Sequence, residues 1–216
     1  MKLFIKIMQL LAYWPFRLAF ILFFSFEIKG ITNLQKAEKP FILASNHISY
    51  LDPIFVGYAM PFKWRYYFPL YYMMDDLIYK IVFFVRFLGA IPARKGQGLD
   101  VSIAPFLNKL ESECIVVMFP EGGIKRKEEL RPKRGISYMA SKSGKSIIPL
   151  KIDSNLDGSI SIFGDKLWRI FLRKKTVTII FGKPFKIEET ISKIPSTDDE
   201  LRQASEEILK RIKKLS

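Results

Sequence analysis

From Leu3 to Ile28 the chain is apolar, broken by Lys6 and Arg17, with Pro15 placed to kink a helix there. Its longest uncharged stretch, Ile7 to Phe16, is about half of the ~20 residues that a spanning helix needs. The pattern predicts one or two helices lying in a membrane interface, with Lys2, Lys6 and Arg17 reaching headgroups and Trp14 at the boundary. A single tilted span is the second reading. No small-residue cleavage site follows the run, so it is a poor match to a signal peptide.

From residue 40 onward, strand and helix patterns alternate. PFILAS (40–45) reads as a buried strand ending at Asn46-His47, and Asp52-Pro53 as a helix start with aspartate as cap. WRYYFP is a possible second strand, and residues 76–87 predict a helix with apolar positions at Leu77, Ile78, Ile81, Val82 and Val85. After the turn-like GAIPARKGQG come a helix near 99–110 and a strand at 114–119. A glycine- and charge-rich stretch (120–135) precedes a helix near 136–143, a strand at 146–152 and a β-rich region at 159–182. An amphipathic helix starts near Thr197, acidic first and basic last, as the helix dipole favours. Alternating βα units predict an α/β fold with a mixed, largely parallel sheet flanked by helices. The expected division is a membrane-associating segment, 1–30, and a catalytic domain, 31–216, since 216 residues are few for two independent cores.

Composition changes the reading of the surface. The formal charge is +14, yet 49% of residues are hydrophobic and 14% aromatic, heavy for a soluble nucleic-acid binder. An apolar, basic chain instead suits an anionic membrane surface, where each Lys or Arg near the lipid contributes roughly 1 kcal/mol. The lone cysteine, Cys114, opens the apolar run CIVVMF and reads as a buried structural thiol. It excludes an intrachain disulfide and, with one histidine, argues against a His/Cys metal site. His47 is that one histidine, so imidazole chemistry has a single address.

The strongest chemical signal is NHISYLDP, residues 46–53. Two residues five apart lie about 140° from each other on a regular helix of ~3.6 residues per turn, so His47 and Asp52 share no helix face. With His47 on a loop and Asp52 at a helix mouth, the carboxylate folds back onto one imidazole nitrogen and leaves the other free as a base. The plain alternative is an N-cap beside a polar strand end. FPEGGIKRK (119–127) puts Glu121, Gly122 and Gly123 after an apolar strand, where open α/β sheets carry their sites. Arg94 and Lys95 in GAIPARKG, and Lys133 and Arg134 before a predicted helix, suit an anionic substrate. Each of these is, alone, as readily a turn or a solvated charge cluster.

NHISYLD, GAIPAR, FPEGG and SIIPLKI (146–152) resemble, in order and spacing, the four motif blocks of the glycerolipid acyltransferases, whose best-known members are 1-acyl-glycerol-3-phosphate acyltransferases. The resemblance covers about residues 40–152. It implies that His47 is the general base, Asp52 its orienting partner, Arg94 a phosphate contact, and Glu121 an acceptor-positioning group beside Phe119, Pro120 and Gly122. Pro149 matches the fourth block, which the family uses in shaping the acyl-donor site. Members commonly continue the third block with Thr and Arg, where this chain has Gly123 and Ile124; Lys125 or Arg126 is the candidate replacement charge.

The reaction implied is transfer of a fatty acyl chain from acyl-coenzyme A or acyl carrier protein to the sn-2 hydroxyl of lysophosphatidic acid. No bound cofactor, metal or nucleic acid is expected, and the expected location is the cytoplasmic face of a membrane. Gly-x-Ser-x-Gly is absent, GKS at 144–146 lacks a P-loop's leading glycine, and Gly96 and Gly98 are not followed by a third glycine of a dinucleotide fingerprint. The alternatives are another lysolipid or a hydroxyl-bearing aminolipid as acceptor, and a non-catalytic lipid-binding protein.

Overall fold

The computed structural model describes residues 1–61, 67–124, 131–155 and 175–216. Among these, seven strands form one sheet: β1 (Phe24–Lys29), β2 (Phe41–Ser45), β3 (Leu70–Met74), β4 (Ala90–Pro92), β5 (Ile115–Met118), β6 (Ser146–Ser154) and β7 (Lys175–Phe181). Their order is β1-β7-β6-β2-β5-β3-β4. Every pairing is parallel except β6 with β7. The mixed, largely parallel α/β sheet expected from the sequence is the one observed. Strands β2 to β6 therefore point their C-terminal ends to one edge.

Both faces of the sheet are covered, which is why β2 is a continuous apolar run with all five residues buried. Phe41 and Leu43 face one layer, with Tyr13 and Phe20 of α1 (Lys2–Phe23) and Phe55 and Val56 of α3 (Asp52–Ala59). The short α2 (Ile31–Gln35) adds the fully buried Leu34. Ile42 and Ala44 face the other layer. There α5 (Leu99–Glu111) contributes Ile103 and Phe106, and α6 (Gly135–Ser143) contributes Ile136 and Met139. That layer ends in α8 (Asp198–Lys213), which buries Ile208 and Ile212, with the short α7 (Glu188–Ile191) against it; the short α4 (Asp76–Ile81) lies beside β4. α8 opens with a capping box: the Thr197 hydroxyl accepts from the Glu200 N–H, and the Glu200 carboxylate accepts from the Thr197 N–H.

Three expectations are corrected. Of the one or two helices expected in the N-terminal apolar run, one is observed, running through Pro15 and stopping at Phe23. Residues 24–29 of the segment expected to be helical form the edge strand β1, paired in parallel with β7. The helix expected at 76–87 ends at Ile81 and gives way to a 3₁₀ turn, Phe83–Leu88, across the β-branched residues Ile81, Val82 and Val85, which are weak helix formers. The strand expected at WRYYFP starts later, at Leu70, just past a proline that lacks a ladder N–H; residues 64–66 lie outside the described residues. So do residues 159–174 of the expected β-rich region, whose remainder is β7.

Candidate active site

His47 leaves β2 at the C-terminal edge of the sheet, and the chain turns at once into α3. The turn is organised around the Asp52 carboxylate, which is fully buried. Its Oδ2 accepts from His47 Nδ1 at 2.7 Å, from the Ile48 N–H at 2.7 Å and from the Ser49 N–H at 2.9 Å. Asp52 sits in the first turn of α3, where the helix dipole favours a carboxylate, and Pro53 needs no N–H there. A carboxylate can only accept, so Nδ1 carries the proton and Nε2 is left as the free base. The fold-back expected from the five-residue spacing is the geometry observed.

Two neighbours that carried no separate role in the sequence reading hold the imidazole. The Phe119 ring stacks on it, with centroids 4.3 Å apart and planes at 21°. Asn46 clamps the loop to β6: its Nδ2 donates to the Ile152 carbonyl at 2.8 Å and its Oδ1 accepts from the Ile152 N–H at 2.7 Å. The amide thereby continues the β2–β6 ladder one residue past its end. An asparagine directly after a fully buried strand is the sequence signal for such a clamp.

The third block packs beneath His47. Glu121 is 2% exposed, and its Oε2 accepts from the His47 backbone N–H at 2.8 Å. That bond ties Glu121 to the backbone that carries the base. Gly122 has φ +68, and a Cβ there would lie 2.7 Å from Lys133 Cγ, so the Lys133 stem lies directly over the glycine. The Lys133 N–H donates to the Pro120 carbonyl at 2.7 Å, which fastens this basic residue to the block. The Gly122 N–H is engaged with the Phe119 carbonyl, while a Cβ at Gly123 would meet only open space.

The remaining basic residues divide. Arg94, exposed after β4, has φ 51. Its N–H and that of Lys95 donate to the two oxygens of Asp76, and Lys95 Nζ pairs with Asp75. The Lys95 ammonium holds the Asp75 carboxyl below its usual range, and the Lys95 and Arg94 N–H groups do the same for Asp76. The loop is thus fixed through its backbone, and the Arg94 guanidinium has no ion-pair partner among the described residues. Arg134, by contrast, pairs with Asp198 at the start of α8. Lys125 lies outside the described residues.

Pro149 of the fourth block lies within β6 opposite Ala44, and its carbonyl accepts from the Gly182 N–H. Apolar residues of the IFVGYAMPF stretch serve both core and cleft. Phe55, Val56, Ala59 and Met60 are buried, and Tyr58, Ala59, Met60 and Pro61 line an open cleft with Arg17 and Ile31 at the end of α3 remote from Asp52.

A family model described as "Acyltransferase" matches residues 25–153, more than half of the chain. The chain belongs to the acyltransferase family. The match begins at β1 and ends in β6, so it takes in His47, Asp52, Arg94 and the third block. This acyltransferase also resembles the crystal structure of the 1-acyl-sn-glycerophosphate (LPA) acyltransferase PlsC from Thermotoga maritima, with a TM-score of 0.59 at 20% identity. The alignment covers 96% of this chain and 76% of that one. At that identity the likeness establishes the fold, which is the fold expected for the glycerolipid acyltransferases. Among the described residues of the acyltransferase, no group of three or more His, Cys, Asp or Glu is placed to hold a metal ion.

Proposed function

We propose that this acyltransferase moves a fatty acyl chain from a thioester, acyl-coenzyme A or acyl carrier protein, to the sn-2 hydroxyl of lysophosphatidic acid, giving phosphatidic acid. The observation that carries the reaction is the Asp52–His47 pair, with Nε2 free. His47 takes the proton from the acceptor hydroxyl as its oxygen attacks the thioester carbonyl. Asp52 stabilises the imidazolium formed. The tetrahedral oxyanion collapses with loss of the C–S bond, and the departing thiolate takes the proton back from His47. The Gly123 N–H is the candidate oxyanion donor, on backbone whose Cβ side is open and where the Gly122 N–H is already engaged.

A phosphomonoester acceptor is supported by Arg94 and Lys133, which flank the edge that carries His47. Arg94 follows β4, three strands from β2, or about 14 Å at ~4.8 Å per strand. An extended arginine side chain and a glycerol phosphate together cover that span. Another lysolipid acceptor is the second reading, favoured by Gly123-Ile124 standing where the family commonly has Thr and Arg. We place the enzyme at the cytoplasmic face of a membrane, in keeping with its apolar N-terminal helix and +14 charge.

Detergent-purified enzyme given a long-chain acyl thioester and equal lysophosphatidic acid and lysophosphatidylcholine tests the acceptor. The proposal expects phosphatidic acid as the main product, with Arg94→Ala and Lys133→Ala raising the KM for lysophosphatidic acid. Preferential formation of phosphatidylcholine would sink the headgroup assignment and leave the chemistry standing.

A further inference from the structure

Among the described residues, exposed large apolar side chains fall almost entirely in two segments, 1–22 and 77–87; Ile28, Val101 and Ile194 are the exceptions. In α1 they form one stripe, Leu3, Ile7, Leu11, Trp14, Leu18 and Leu22, at steps of three and four residues. The opposite stripe, Ile5, Gln9, Tyr13 and Phe20, is buried against the domain. The second segment presents Leu77, Ile81, Phe83, Phe84 and Phe87 from α4 and the 3₁₀ turn. The two segments adjoin, since the Phe4 and Phe87 rings meet edge to face at 5.9 Å.

Soluble monomers rarely expose so continuous an apolar surface. Charge says what covers it: residues 1–26 and 77–99 contain no Asp or Glu, while Lys2, Lys6, Lys80 and Arg86 border the apolar side chains. A second protein chain would offer no general reason for that bias. An anionic lipid surface does.

At 22 residues, or about 33 Å, α1 is long and apolar enough to cross a bilayer. Its buried stripe holds it elsewhere. Gln9 Nε2 donates to the Leu70 and Leu88 carbonyls at 2.6 and 2.9 Å, and its Oε1 accepts from the Leu70 N–H at 2.9 Å. Crossing the bilayer would strip these bonds and bare the core beneath Tyr13 and Phe20.

We propose that α1 and the 77–87 segment together form a one-leaflet docking face, on which the protein lies with α1 parallel to an anionic membrane and Phe83, Phe84 and Phe87 inserted beside it. This rests on the membrane association proposed above and adds its second contact and its geometry. It also orients the site. Asp75 caps α4 through the Leu77 and Ile78 N–H groups, and Asp76 holds the Arg94–Lys95 backbone. The basic loop is therefore tethered to the inserted segment and stands at headgroup level, where a lysolipid phosphate emerging from the leaflet meets it.

The test uses the full chain on vesicles of phosphatidylcholine mixed with phosphatidylglycerol, with single fluorophores on Leu3→Cys, Leu11→Cys, Leu22→Cys, Phe84→Cys or Ile194→Cys. Cys114 is buried and stays unlabelled in the folded protein. Lipid-borne quenchers should find the first four labels at one shallow depth in one leaflet and leave the Ile194→Cys label in water. Phe83→Glu with Phe84→Glu should lower vesicle partitioning about tenfold or more while leaving turnover of water-soluble, short-chain substrates unchanged.

A Leu11→Cys label at the bilayer midplane, with Leu3→Cys and Leu22→Cys in opposite leaflets, would overturn the proposal. So would a Phe84→Cys label that stays in water or is buried in a dimer. Docking is read without turnover, so its failure leaves the acyl-transfer reading intact. A docked protein that transfers no acyl group would sink that reading alone.

Discussion

An asparagine at position 52 keeps the size of the side chain and removes its charge. In the wild type the carboxylate is fully buried, and one oxygen accepts from His47 Nδ1, the Ile48 N–H and the Ser49 N–H. The asparagine oxygen can take over all three bonds, which preserves the turn and the imidazole tautomer. Its NH₂ then occupies the position of Oδ1, which has no hydrogen-bond partner among the described residues. That unsatisfied donor costs about 1–3 kcal/mol of stability, a fall of a few degrees in melting temperature for a chain of this size. The catalytic cost is separate. With charge centres about 4 Å apart and an effective dielectric constant of about 20, the lost carboxylate withdraws about 4 kcal/mol from the forming imidazolium. That is about 10³-fold in kcat. Asp52→Ala is a poorer probe, because it strands the Ile48 and Ser49 N–H groups as well as His47 Nδ1 and confounds rate with folding. Steady-state thiol release by Asp52→Asn, with far-UV ellipticity and a thermal melt on the same sample, checks both numbers. A folded Asp52→Asn enzyme within about tenfold of wild-type kcat would refute the role given to the pair.

Further expectations concern its surroundings. Glu121→Ala leaves the His47 N–H without its carboxylate acceptor and should lower kcat about 10- to 100-fold, from about 1–3 kcal/mol, with acceptor KM little changed; Glu121→Gln keeps an accepting oxygen and should recover most of the rate. A raised acceptor KM at unchanged kcat would instead mean that Glu121 touches substrate. Gly122→Ala forces an L residue to φ +68 and a Cβ against Lys133 Cγ, a destabilisation of about 1–2 kcal/mol that a thermal melt would detect, whereas Gly123→Ala, facing open space, should melt like wild type. Burial holds the Lys39 ammonium down at about 8 from its ordinary 10.5. Between those values the unfolded chain binds more protons than the native one, so this group's contribution makes stability rise with pH across the window. Lys39→Met should melt higher than wild type at pH 7 and gain less between pH 8 and 10; an equal gain in both proteins would remove Lys39 as the cause.

The central strands were legible because strands buried on both faces carry the same unbroken apolar signature in sequence as in space, as in FILAS and IVVM. His47 and Asp52 were legible because the helix start at Asp52-Pro53 is local, and a turn between a strand end and a helix mouth fixes their approach. β1 was not. Phe24–Lys29 follows an apolar helix with no turn residue between them, and its strand partner β7 lies some 150 residues away in the chain, a pairing that local pattern does not carry. The division of roles among the basic residues was hidden for the same reason. Arg134 and Lys133 are adjacent in sequence, yet one pairs with Asp198 while the other lies over Gly122. Glu121 was identified by its block but not by its direction, because only the parallel pairing of β2 and β5 brings its carboxylate beneath the His47 backbone.

The role of His47 as the base is tested most directly by one comparison: thiol release from a long-chain acyl thioester with and without lysophosphatidic acid, by wild type and by His47→Ala, with matched ellipticity. It predicts acceptor-dependent release and phosphatidic acid from the wild type, and loss of both in a folded His47→Ala protein. Acceptor-dependent release by that variant at near wild-type rate would contradict it, because the chain holds no other imidazole to serve as the base.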